Sequence, residues 1–102
     1  NRKTLFLTAL SNQQMERYDR AIELYERLSS MDSVADEVFY NLGLCYGRQK
    51  RLARAHYNFG LFFKRTREPD KARFHFEKAE SLGARDEALL QRIRAAMKDL
   101  PD

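Results

Sequence analysis

The chain has only two prolines and four glycines in 102 residues. Valine and threonine are rare and no long β-branched run occurs, so the usual material of β-strands is missing. One cysteine, Cys45, excludes an internal disulfide and leaves the compartment open. No window approaches the ~18 consecutive apolar residues that a membrane-crossing helix needs. Phosphate-cradling glycine loops, the Gly-x-Ser-x-Gly nucleophile turn and the zinc motif His-Glu-x-x-His are all absent. The two histidines, His56 and His75, lack further ligands at metal-binding spacing. Cys45 lies on the apolar side of its segment and reads as a buried, inert thiol. No catalytic, cofactor or metal site is expected.

The residues that are plentiful are Ala, Leu, Glu, Arg and Lys, all good helix formers. At 43% hydrophobic and 33% charged, the composition is that of one globular domain rather than a disordered chain. A domain this size buries roughly 60–70% of its unfolded surface. The sequence opens on Asn1 without an apolar leader, which suggests a piece of a longer protein.

Apolar residues recur at helical spacing in six stretches, near 2–13, 18–29, 34–48, 52–64, 69–82 and 87–99. Ser33, with Asp36 three residues on, is the expected cap of the third. Pro69 suits the first turn of the fifth, and Gly83 is expected to close it in the left-handed conformation. Asp86 should cap the sixth, which Leu100–Pro101 ends. Short connections make successive helices antiparallel.

The stretches repeat. Tyr40-Asn41-Leu42-Gly43-Leu44-Cys45-Tyr46 returns as Tyr57-Asn58-Phe59-Gly60-Leu61-Phe62-Phe63, 17 residues later. A second pattern appears as Ala21-Tyr25-Leu28, Ala55-Phe59-Phe62 and Ala72-Phe76-Ala79, and Ala21 to Ala55 is 34 residues. A fixed period of this kind signals a helical solenoid. With Leu42, Gly43 and Tyr46 in a first helix, and Ala72, Phe76 and Ala79 in a second, the chain resembles the tetratricopeptide repeat. The resemblance implies an all-α, right-handed solenoid of two and a half to three repeats that binds protein or peptide. The fourth helix reads both as the second of one repeat and as the first of the next, so the groove near the C-terminus stays ambiguous. A narrower resemblance, carried by Asn41-Leu42-Gly43, Ala55-His56-Tyr57 and Ala72-Arg73-Phe74-His75-Phe76, is to the repeat tail of bacterial envelope zinc metalloproteases of the β-barrel assembly-enhancing type. It implies a docking tail in the periplasm or cell envelope, with the zinc motif upstream. Without it, the cytoplasm is the expected compartment.

Charge is segregated. Residues 1–37 carry five basic and seven acidic side chains, 38–67 seven basic and none acidic, and 68–102 seven basic and eight acidic. Arg48, Lys50, Arg51 and Arg54 fall at one pole of the helix array, and Lys64, Arg65 and Arg67 at the other. These edges read as solvated helix ends or as contacts for an acidic protein partner or an anionic membrane surface. No nucleic-acid motif accompanies them, and membrane contact is expected only through a parent protein.

In the family the resemblance points to, first helices line the concave groove. Matching positions here are Phe6, Leu10 and Gln14 on the first helix, with Lys3 and Gln13 beside them. Tyr40, Leu44 and Arg48 on the third, with Glu37 and Gly47 beside them, follow, then Phe74 and Lys78, with Lys71, on the fifth. Apolar groups flanked by cations suit a peptide. The same groups would equally pack against a further repeat ahead of Asn1, and an exposed Leu5 or Leu7 there would favour self-association.

Overall fold

The computed structural model describes residues 1–101. Six helices follow one another: α1 Arg2–Gln14, α2 Tyr18–Ser29, α3 Glu37–Arg48, α4 Leu52–Arg65, α5 Pro69–Leu82 and α6 Glu87–Lys98. No strand occurs among the described residues. The chain is an all-α helical-repeat solenoid. Five helices lie within one or two residues of the stretches expected from periodicity.

The turns carry the period in their backbone. Glu16, Ser33, Lys50 and Arg67 all adopt left-handed φ, between 59° and 62°, and each stands 17 residues after the last. After α1, α3 and α4 the same pair of bonds closes the helix. Arg17 N–H donates to Asn12 O, Arg51 N–H to Tyr46 O and Glu68 N–H to Phe63 O, while Glu16, Lys50 and Arg67 bond three residues back. This is the Schellman closure, here built on side-chain-bearing residues instead of glycine.

Three cap expectations meet different outcomes. Asp86 caps α6, its carboxylate accepting from Leu89 N–H at 3.0 Å. Ser33 does not cap α3: it is itself left-handed, and the helix begins at Glu37, three residues later than expected. Gly83 is not left-handed, with φ −98°; its lack of a side chain serves packing instead. A β-carbon there would sit 3.3 Å from both Ala53 Cβ and Leu89 Cδ2.

The core has two parts. Ala9, Tyr25, Leu28, Leu42, Cys45 and Ala55 belong to the first, gathered from α1 to α4. Ala72, Phe76, Ala79, Leu89 and Ile93 form the second, from α5 and α6. Helix α4 serves both, and Leu61 packs against each. The joint is made by small residues facing rings. A β-carbon on Gly43 would lie 2.6 Å from the ring of Phe59, and one on Gly60 would lie 2.5 Å from the ring of Phe76. Ala9 and Tyr25, both fully buried, hold the equivalent positions in α1 and α2. At the α2–α3 contact the equivalent small position is Glu26, and Tyr46 donates its hydroxyl to that carboxylate at 2.5 Å. The tight interfaces are therefore α1–α2, α3–α4 and α4–α5, with looser ones at α2–α3 and α5–α6.

Candidate protein-binding site

Side chains that leave the packing stripes of α1 and α3 meet across an open cleft of about 450 Å³. Leu10, Gln13 and Gln14 come from α1, Leu44 and Arg48 from α3, Glu16 from the turn between α1 and α2, and Tyr18 from the start of α2. Helical spacing explains the grouping: Leu10 and Gln14, like Leu44 and Arg48, are four apart and so share a face. Leu44 keeps 39% of its surface in water despite being apolar. Arg48 forms no ion pair among the described residues, so its charge faces the cleft's mouth without an internal partner.

Four of the eight groove candidates from sequence thus converge: Leu10, Gln14, Leu44 and Arg48. Phe6 lines a neighbouring apolar depression with Lys3, Val34 and Val38, its ring edge-on to Tyr25 at 6.0 Å. Tyr40 turns toward α4, packing edge-on against Phe59 at 5.4 Å and Phe62 at 5.2 Å. Phe74 and Lys78 are not at the cleft. They lie on α5, where Phe74 packs edge-on against His75 and the Lys78 charge acts on His56.

Periodicity alone did not reveal a continuous aromatic run across α3, α4 and α5. Tyr40 touches Phe62, Phe62 touches Phe63, Phe63 stacks on His75 and His75 abuts Phe74. Tyr40 and Phe74, the exposed ends of this run, are joined through half-buried rings. The adjacent Phe62-Phe63 pair, with one ring too many for a single buried stripe, was the available signal. His56 and His75 also meet, their Nδ1 atoms 3.0 Å apart. Burial lowers the pKa of both; Lys78 lowers His56 further, and His56 lowers His75.

The basic edges are partly consumed inside the fold. Arg54 pairs with Asp86, Lys64 with Asp99 and Arg65 with Asp36. Arg51 lies over the Tyr46 ring, 4.8 Å from its centre. Cys45 is fully buried, and burial pushes its thiol up to about 11.

Two family models, each described as Tetratricopeptide repeat, match the chain, one over residues 3–30 and the other over 53–82. Together they span more than half of it. The chain is a tetratricopeptide-repeat domain. The first match takes α1 and α2 as a repeat; the second takes α4 and α5, half a repeat out of phase with the first. The geometry explains the offset. Gly43 receives Phe59 as Gly60 receives Phe76, so α4 is second helix to α3 and first helix to α5. That makes α5 a second-type helix here, which accounts for Phe74 and Lys78 lying away from the α1–α3 cleft. No curated protein and no solved structure matches the chain. The family matches describe the repeat and lend nothing to the narrower metalloprotease resemblance. Tetratricopeptide repeats generally mediate protein–protein interaction and are typically non-catalytic.

Proposed function

We propose that this tetratricopeptide-repeat domain binds an extended segment of a partner protein in the cleft between α1 and α3. The observation that supports it is the pairing of exposed Leu44 and unpaired Arg48 on α3 with Leu10 and Gln14 on α1. Leu10 and Leu44 offer an apolar wall for one side chain of the segment. Gln14 offers an amide that both donates and accepts, so it suits a peptide backbone. Arg48 adds a fork of donors for a carboxylate or a carbonyl, which favours an acidic partner. Tyr40, beyond the cleft, would extend the surface toward α4.

The test is capture from the source proteome by the wild-type domain and by a Leu44→Ala/Arg48→Ala variant. Both substituted residues are exposed, so circular dichroism should not change. A protein retained by wild type, retained by a control Arg94→Ala and lost with the double variant supports the reading. Identical retention by all three would remove it.

A second reading is self-association through α1, favoured by Leu7, which is 53% exposed on that helix. Light scattering across concentration tests it; a monomer throughout argues against it. The metalloprotease-tail reading rests on the residues quoted for it, and a parent sequence without His-Glu-x-x-His would end it.

A further inference from the structure

A second cleft, of about 610 Å³, opens at the pole where α4 begins and the α5–α6 turn passes. Three guanidinium groups border it: Arg51 and Arg54 at the start of α4, and Arg85 from the turn. Arg54 is answered by Asp86 at 3.3 Å. Arg51 and Arg85 have no acidic partner among the described residues. Two large apolar side chains stand among these charges, Leu52 at 46% and Leu82 at 50% exposure. Leu89 lies buried behind these side chains, with Gly83 packed closely against it.

We propose that this cleft docks an acidic protein segment carrying an aliphatic side chain. Charge complementarity is the argument for the acid. One of three arginines is neutralised internally, and two are left to be met from outside. Arg51 is already held in place, over the Tyr46 ring and donating to Gln49 Oε1 at 3.3 Å, so little side-chain freedom is lost on binding. The exposed leucines are the argument for the aliphatic group, because paired leucines at a charged edge leave apolar surface to be covered. The space is too large for a lone phosphate, and the two exposed leucines set among the arginines suit a segment that alternates acidic and aliphatic side chains. The site is separate from the α1–α3 cleft and shares none of its residues.

The experiment uses the full chain and three short fluorescent peptides, alternating Leu with Glu, Lys or Ser, read by anisotropy. The Glu-Leu peptide should bind, weaken as salt is raised, and bind at least about 10-fold more tightly than the other two, as electrostatic selection requires. Arg51→Gln/Arg85→Gln should cost that selectivity about 10-fold. Leu82→Ser should weaken binding to a smaller extent. In a Leu44→Ala/Arg48→Ala background, which removes the α1–α3 cleft as a second acceptor for the peptide, Glu-Leu binding that depends on Arg51 and Arg85 should persist, which separates this site from the cleft assigned above. Circular dichroism of each variant confirms that the fold is kept. Equal binding of all three peptides overturns the proposal, as does a Glu-Leu affinity indifferent to Arg51 and Arg85. Phosphatidylserine vesicles form the other arm: sedimentation with vesicles that depends on Arg51 and Arg85, with no peptide binding, would overturn it in favour of a membrane contact.

Discussion

Phe76 of α5 fills the space that a side chain on Gly60 of α4 would need, its ring carbons 2.5 Å from where a β-carbon would sit. No real β-carbon tolerates that distance, and Phe76 is fully buried, so the ring has nowhere to retreat. Gly60→Ala is therefore expected to destabilise the domain by about 1–3 kcal/mol through overpacking, which outweighs the gain of up to ~1 kcal/mol that alanine brings to a helix. Gly47 offers the contrast within the same fold. Its β-carbon would meet nothing closer than Ala55 Cβ at 4.0 Å. Gly47→Ala should stabilise by about 0.5–1 kcal/mol. Urea unfolding measures both; equal and opposite signs to these would show that the rings do not set the helix spacing.

The left-handed residues lead to a second prediction. Glu16 and Lys50 hold φ of 61° and 60°, a region that costs a side-chain-bearing residue roughly 1–2 kcal/mol. Glycine removes that strain but adds freedom to the unfolded chain, which offsets part of the gain. Glu16→Gly and Lys50→Gly should each stabilise by about 0.5–1 kcal/mol. A loss of stability on both, in thermal or urea unfolding, would contradict the turn geometry.

These turns also mark where the sequence stopped being readable. The buried stripes were legible because Ala21, Tyr25 and Leu28, or Ala72, Phe76 and Ala79, obey one spacing on one face. The left-handed positions were not, because Glu16, Ser33, Lys50 and Arg67 have no residue type in common. Glycine at 83 drew the expectation of a left-handed turn, yet it answers a steric demand between Ala53 and Leu89. The double role of α4 could be read in the repeat of Tyr40–Tyr46 at Tyr57–Phe63. The second-type character of α5 was legible too, in Ala72, Phe76 and Ala79; what could not be read was where that places Phe74 and Lys78, away from Leu44 and Arg48. Sites assembled from several turns, such as the one at Arg51 and Arg85, depend on tertiary placement that no local pattern encodes.

Cys45 supplies a probe of global opening. Its side chain is fully buried in α3, and burial raises the thiol to about 11, so little thiolate exists at neutral pH. A thiol reagent should label the native protein only at the rate at which the first core opens. Labelling should accelerate by orders of magnitude in denaturant, in step with the loss of helicity. Rapid labelling of the native domain would mean that α3 separates from α2 and α4 without global unfolding.

The histidine pair makes stability depend on pH in a defined window. His56 and His75 face each other across 3.0 Å at the α4–α5 contact, and one neutral ring donates to the other. Burial is the first cause that lowers both pKa values from the ordinary 6.5, with the Lys78 charge adding to His56 and His56 itself adding to His75. The unfolded chain therefore takes up protons at higher pH than the folded one. Stability is full above 6.5 and falls as pH drops through 6.5 toward the lowered folded values. The acidic groups with shifted titration act elsewhere. A hydrogen bond from Lys71 lowers Glu68 below 4.5, and one from Lys64 lowers Asp99 below 3.8, so their losses come at more acid pH. Urea midpoints measured at intervals from pH 7.5 to 5.5 should decline, and His75→Phe, which keeps a ring between Phe59 and Phe63, should flatten the decline. An unchanged slope in that variant would place the acid sensitivity outside the α4–α5 interface.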